Sequence, residues 1–322
     1  VNTPEILQAR VRAVSFEAEG ILGFELVPMP PLKELPAFTA GAHIDLLLPS
    51  GLTRSYSLLN APHERHRYVI GVNKDAASRG GSRYMHETLR AGETLSIHPP
   101  RNNFPLDENA ARSVFIAGGI GITPMLSMIA RARALGMPWQ LHYAARTRRH
   151  AAFLDLLQGW RDEPGAEVSL VFDQEPGAAM MDIAAIVRGL PADAHVYCCG
   201  PLPMLDAFEK AAAGLPPQRV HREYFAAREA AATEGGFVVE LARAGKRIQV
   251  HPGQTILDSL IDAGIEPPYS CREGVCGTCE VRVLEGVPDH RDLVLSADEQ
   301  AANDRMMVCC SGAKSARLLL DL

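Results

Sequence analysis

Three cysteines fall within nine positions of the stretch SCREGVCGTCE, residues 270 to 280: Cys271, Cys276 and Cys279. Cys309 follows after 29 intervening residues, with Cys310 beside it, and the other two of the seven cysteines are Cys198 and Cys199. Clustered thiols need a common centre, so the chain must fold back until a residue 30 positions away meets the same loop. The N-terminus VNTPEILQARVRAV has no basic stretch followed by an apolar core, so no secretory signal is expected. No apolar run approaches the roughly 18 to 20 residues that span a bilayer. The expected location is the cytoplasm, where clustered thiols are metal ligands or redox groups more often than disulfides. A net charge of -6 argues against a general nucleic-acid or anionic-membrane binder, while allowing a local basic patch.

Structural zinc usually draws its ligands as two close pairs. The pattern C-x4-C-x2-C followed by one distant cysteine is the spacing of plant-type [2Fe–2S] sites. Gly274 and Gly277 let backbone amides turn towards the sulfurs. The spacing therefore points to a [2Fe–2S] cluster on Cys271, Cys276, Cys279 and Cys309, with zinc as the alternative. If residues 308 to 310 form a strand, Val308 and Cys310 share an inward face and Cys309 faces the loop.

At 322 residues, with 47% hydrophobic and 22% charged, the chain has room for two or three globular domains. Three textures divide it. Residues 1–106 alternate in short runs (HIDLLLP, RSYSLLN, RYVIGVN, ETLSIHP) between turn residues, predicting an antiparallel barrel or sandwich. Residues 107–225 alternate strand and helix four times, predicting a parallel sheet covered on both faces. Residues 226–236, AAREAAATEGG, read as a linker or a short helix. Residues 237–322 open with two strand-like runs and a helix closed by Gly264, then reach the cysteine loop.

A one-electron cluster needs an electron donor. SVFIAGGIGITPML reads as a strand, a glycine turn and a helix start, with Thr123 as N-cap and Pro124 as first helical residue. Amides at such a start can bind a pyrophosphate, although a plain tight turn would look the same. On the strand RSYSL, alternation sends Arg54 and Tyr56 to one side. In SRGGSRY, Gly80, Gly81 and Ser82 could cradle a phosphate or form an ordinary turn.

In combination, RSYSL, RGGS, AGGIGITPM, YCCGP and the C-terminal cysteine loop resemble the phthalate dioxygenase reductase family, within the ferredoxin–NADP reductase superfamily, over nearly the whole chain. The resemblance implies a β-barrel FMN domain, an α/β NADH domain and a β-grasp plant-type ferredoxin domain. It implies that Arg54 meets the FMN phosphate with Gly80, Gly81 and Ser82, that Tyr56 packs on the ring, and that Ser57 bonds near N5. Ser55, Val72, Asn73 and Thr123 would line the same site. Gly118, Gly119, Gly121 and Pro124 would form the NADH turn, and Cys199, Gly200 and Pro201 would border the nicotinamide, with Cys198 in the core. Phe225 would cover the flavin, with core packing as the plain alternative. The resemblance further implies that Cys309, and not Cys310, has the family's ligand spacing.

At the adenosine end, Asp173 is a candidate ribose partner, while Arg146, Arg148 and Arg149 would suit a 2′-phosphate. The implied activity passes electrons from NADH through FMN and the cluster, singly, to a partner oxygenase. The implied acceptor is a Rieske-type oxygenase acting on an aromatic compound, with a cytochrome P450 as the alternative. Ser57, Thr123 and Cys199 would act by positioning. The chain is expected to be a monomer. A zinc-stabilised binding or sensor protein is the reading from a different class.

Overall fold

The computed structural model describes residues 5–76, 78–161, 163 and 166–322. They divide into two compact units, Glu5–Glu223 and Tyr224–Leu322.

The first unit begins with six antiparallel strands: β1 (Leu7–Ala18), β2 (Ile21–Pro28), β3 (His43–Leu47), β4 (Thr53–Ser57), β5 (Tyr68–Asn73) and β6 (Thr94–Ile97). Their order is β4-β3-β6-β1-β2-β5, and a bridge from Leu58 to Ile70 joins the two ends into a barrel. Helix α1 (Gly81–Glu87) follows β5. Strands β3 to β6 fall on the four alternating runs. The long β1–β2 hairpin escapes a period-two reading because its register shifts between Val11 and Ala13 and again between Phe16 and Ala18. Each bulge reverses which residues face the core.

The same unit continues into five parallel strands: β7 (Arg112–Gly118), β8 (Trp139–Ala145), β9 (Ala166–Phe172), β10 (Ala194–Cys199) and β11 (Val220–Glu223). The intervening helices are α2 (Ile122–Ala134), α3 (Leu154–Arg161), α4 (Ile183–Arg188) and α5 (Leu202–Ala212). The order β11-β10-β7-β8-β9 places β7 in the middle. The chain builds outward from β7 to β9, then crosses back to β10, so the switch point lies between β7 and β10. Ligands of open α/β sheets bind at the carboxyl ends of the strands at such a point. Ala18, Ile21, Leu59 and Phe104 from the barrel share one buried cluster with Phe115, Met125, Met128 and Tyr143 from this sheet. That shared core makes barrel and sheet one unit.

The start of α2 corrects two expectations. Thr123 is not the N-cap and Pro124 is not the first helical residue, because a 3-10 turn over Gly119–Gly121 runs directly into a helix that begins at Ile122. Gly119, at φ 54°, makes the early turn possible. The Thr123 hydroxyl instead donates to the Ile120 carbonyl oxygen at 2.9 Å.

The second unit has the sheet β13-β12-β18-β14-β16, built from β12 (Phe237–Leu241), β13 (Lys246–Val250), β14 (Glu280–Glu285), β16 (Arg305–Met307) and β18 (Arg317–Leu320). A small pair, β15 (Pro288–Asp289) with β17 (Gly312–Ala313), and helices α6 (Ile256–Asp262) and α7 (Ala297–Ala302) complete it. Thr255 caps α6 in a reciprocal box with Asp258, and Gly264 at φ 74° stands just beyond its end. This is a β-grasp arrangement, with α6 and the sheet burying Val239, Leu257, Leu260, Met306 and Leu318. Residues 226–236 form no helix. Ala232 donates its N–H to the Cys310 carbonyl oxygen at 2.7 Å, so this stretch is pinned to the second unit. No helix among the described residues is long and apolar enough to cross a membrane.

Candidate functional site

On β4, Arg54 pairs with Leu46 and Tyr56 with Ile44, while Ser55 pairs with Asp45 and Ser57 with His43. Arg54 and Tyr56 therefore share one face and Ser55 and Ser57 the other. Arg54 runs to the start of α1: a Cβ on Gly81 would stand 2.7 Å from its Nε and 2.8 Å from its Cγ. Gly80, at φ 110°, turns the chain into that helix. The Ser82 hydroxyl accepts the Asp75 N–H at 3.2 Å and so holds the loop before α1. His86 of α1 bonds the Val72 carbonyl oxygen at 2.8 Å. Val72 itself is in the barrel core and Asn73 is exposed. Burial pushes the Tyr56 phenol up to about 12, so the ring stays neutral. A guanidinium laid over a glycine pair, with a neutral aromatic on the same strand face, fits a flavin phosphate and ring.

At the switch point the glycines have packing reasons. A Cβ on Gly121 would lie 2.2 Å from the Cys199 carbonyl oxygen. One on Gly118 would meet Pro201 Cδ at 2.7 Å, and one on Gly200 would meet Met204 Sδ at 2.6 Å. The turn after β7 and the CCGP turn after β10 are thus in contact, and only glycine permits it. A Cβ on Gly71, in β5, would meet the Thr123 methyl at 2.9 Å. Thr123 and Pro124 are buried in α2, so Thr123 stands where barrel and glycine turn meet.

Cys198 and Cys199 are both fully buried. Burial, then the charges of Glu223 and Cys198, push the Cys199 thiol well above its ordinary range. It is therefore a neutral, polarisable thiol and not a nucleophile. Glu223, which the sequence analysis does not single out, pairs with Cys199 across β10 and β11. Its Oε2 is buried without a partner among the described residues, and burial pushes its carboxyl up to about 8. The only linear sign of it is an acid in the strand-like HREYF. Phe225, two residues on, belongs to the second unit and is 40% exposed, against the core reading.

At the adenosine end, Asp173 follows β9 with a buried Oδ1 that has no partner among the described residues. The Arg148 guanidinium lies 5.2 Å from the Phe172 ring centre, and the Arg148 backbone N–H donates to Glu175 Oε1 at 2.8 Å. Arg149 points outward, 3.8 Å from Glu19, and Arg146 accepts the Gln174 N–H at its carbonyl.

The cysteine loop gathers four buried thiols, Cys271, Cys276, Cys279 and Cys309. Cys271 interacts electrostatically with Cys276 and Cys309, and Cys309 with Cys279, so the four thiols are neighbours. The Glu273 N–H donates to Cys271 Sγ at 3.3 Å and the Cys271 N–H to Cys276 Sγ at 3.5 Å. Gly274 and Gly277, at φ 70° and 72°, turn these amides inward. Four converging sulfurs with inward amides fit an anionic cluster. The strand expected through Cys309 and Cys310 is not formed: β16 ends at Met307, and residues 308–310 make a turn. Cys310 Sγ approaches the Met307 carbonyl oxygen and Ser311 Oγ, each at 3.8 Å. A Cβ on Gly274 would stand 2.5 Å from Cys310 Sγ.

Residues 239–314 match the family model of the 2Fe-2S iron-sulfur cluster binding domain, and residues 115–210 that of the oxidoreductase NAD-binding domain. The phenoxybenzoate dioxygenase subunit beta of Ectopseudomonas oleovorans is 58% identical over 97% of this chain and 96% of its own. A tetrachlorobenzoquinone reductase of Sphingobium chlorophenolicum is 50% identical over 100% and 99%. The structure of phthalate dioxygenase reductase superposes at TM-score 0.75, with 38% identity over 98% of both chains. This chain belongs to the phthalate dioxygenase reductase family. An intact type IV self-sufficient cytochrome P450 monooxygenase also matches, at TM-score 0.86 and 38% identity, but the chain spans only 42% of its length. Phthalate dioxygenase reductase family membership sets aside the zinc-binding alternative. The protein is an oxidoreductase with a dinucleotide-binding sheet and a [2Fe–2S] domain.

Proposed function

We propose that this protein is the reductase component of a Rieske-type aromatic oxygenase, taking electrons from NADH through FMN and the [2Fe–2S] cluster. The observation that carries the reading is the set of three sites in one chain. Arg54 over Gly81 suits a flavin phosphate, the Gly121–Cys199 contact lies at the sheet's switch point, and the four-thiol loop suits a cluster. FMN, when bound, accepts two electrons and gives them up singly, as a one-electron cluster requires.

In this reading Arg54, with the amides of Gly80, Gly81 and Ser82, binds the FMN phosphate. Tyr56 supports the ring, and Ser57 and Thr123 border its reacting edge together with Val72 and Asn73, while the Ser55 side chain lies on the other face of the strand, towards Asp45. Gly118, Gly119, Gly121 and Pro124 place the pyrophosphate of NADH, and Asp173 takes the adenosine ribose. Cys199, Gly200 and Pro201 form a neutral wall beside the nicotinamide and keep water out. No side chain need act as acid or base; the residues orient two rings. Cys271, Cys276, Cys279 and Cys309 hold the cluster. An oxygenase acceptor is favoured over a P450 because identity reaches 58% with the dioxygenase subunit against 38% with the P450 chain. The quinone-reducing relative supports a second reading, with a small quinone as acceptor.

The test is anaerobic titration of the purified protein with NADH, followed in the visible range, with mass spectrometry of the heat-released cofactor. Flavin and cluster bands that bleach together, with FMN released, support the proposal. A colourless protein overturns it, and FAD overturns the FMN assignment alone. Cytochrome c, a purified Rieske oxygenase and tetrachlorobenzoquinone as alternative acceptors separate the two readings.

A further inference from the structure

Behind the strand that carries Arg54 and Tyr56 lies a buried carboxylate that none of the roles above uses. Asp45 sits on β3 directly opposite Ser55, and its side chain is 0% exposed. Its Oδ1 accepts the Ser55 hydroxyl at 2.6 Å. Its Oδ2 accepts from Arg101 and lies 3.6 Å from His98 Nδ1. The backbones are tied as well: the His98 N–H donates to the Asp45 carbonyl at 3.0 Å, and His43 and Arg101 exchange backbone bonds. His43, buried on the same face, has an Nε2 without a partner among the described residues. Burial alone would raise the Asp45 carboxyl. The nearby His98, the Arg101 charge and the Ser55 bond outweigh it and hold the group down at about 2.

A buried ionised carboxylate is costly unless its partners are in place, so its geometry is narrowly set. Those partners come from three places: β4 through Ser55, the end of β6 through His98, and the segment leading to β7 through Arg101. Because Ser55 stands between Arg54 and Tyr56, a pull on its hydroxyl from one face fixes the strand whose other face those two residues occupy. We propose that Asp45 is a positioning residue of the flavin site: it sets the height and tilt of Arg54 and Tyr56 from behind, through Ser55. It also ties that strand, through Arg101, to the segment that enters the dinucleotide-binding sheet. This inference rests on the proposed binding of FMN by Arg54 and Tyr56.

The experiment is FMN titration of the full-length apoprotein by fluorescence quenching, for wild type, Asp45→Asn, Ser55→Ala, the double variant and Ser55→Thr. Asp45→Asn should raise the FMN Kd about tenfold, and Ser55→Ala should raise it severalfold. The double variant should be no worse than Asp45→Asn alone, and Ser55→Thr, which restores the hydroxyl, should bind like wild type. A general loss of stability would not produce that non-additivity or that rescue. Fully additive effects, or an Asp45→Asn protein that binds FMN as tightly as wild type, overturn the inference while leaving the reductase reading intact. A wild-type protein that does not bind FMN overturns both. If Asp45→Asn fails to fold, the Ser55 pair decides: weakened binding in Ser55→Ala with recovery in Ser55→Thr supports the role, and wild-type affinity in Ser55→Ala overturns it.

Discussion

Arg54 crosses Gly81 so closely that a methyl group on that glycine would stand 2.7 Å from the guanidinium Nε. The two residues lie 27 positions apart, one on β4 and one at the start of α1, and no side chain can stand between them. Gly81→Ala must displace Arg54, a flexible and half-buried side chain, so the fold should survive. The expected effect is a loss of roughly 1.5 kcal/mol in FMN binding, about tenfold in Kd, the scale of one hydrogen bond to a charged group. Titration of the apoprotein with FMN checks this; unchanged affinity would mean that Arg54 is not a phosphate ligand.

Cys309 and Cys310 make a paired prediction. Cys309→Ser should lose most of the cluster absorbance, the iron and the one-electron output. Its NADH-to-ferricyanide activity should persist, since the flavin alone can serve that acceptor. Cys310→Ser should keep the cluster and cost about 1 kcal/mol in packing. Iron analysis of the two variants decides, and the reverse pattern would move the ligand by one residue.

Asp173 has a buried oxygen with no partner among the described residues at the end of β9, whereas Arg148 lies against Phe172 and its backbone N–H is bonded to Glu175. A carboxylate there repels a 2′-phosphate, so kcat/KM should favour NADH over NADPH by at least about tenfold. Asp173→Asn should narrow that ratio, with most of the change in KM. Equal values for the two dinucleotides in wild type would show that the arginines accept a 2′-phosphate.

Glu223 predicts a pH dependence of stability. Burial raises its folded pKa from 4.5 to about 8. Between those values the folded chain keeps a proton that the unfolded chain has lost, so stability falls as pH rises from about 4.5 to about 8 and then levels. Glu223→Gln, which stays neutral, should flatten this part of the profile. Denaturant unfolding of both proteins across that window provides the comparison, and parallel profiles would rule out a buried neutral carboxyl.

Much of this architecture is legible in linear order because its signals are local. Period-two runs mark β3 to β6, the strand–helix alternation marks the parallel sheet, and Gly264 stands just beyond the end of α6 as a closing glycine should. The C-x4-C-x2-C spacing requires neighbouring thiols on one loop, and the structure gathers them with Cys309. The expectations that failed were those that needed a backbone path in advance. Thr123 lost its cap role to a 3-10 turn made by the preceding glycines, and the strand expected at Cys309 ended two residues earlier.

The amino-acid sequence by itself determined which segments become strands, helices and turns, and which chemistry each can offer. Tertiary structure alone decided which of them meet. Gly121 against Cys199, Gly71 against Thr123, Glu223 beside Cys199 and Asp45 behind Ser55 all depend on sheet order, register or packing between segments distant in the chain. Periodicity tells a strand which face is inward, but not which neighbour will stand beside it. That choice is made only when the whole core closes and each buried polar group must find its partner.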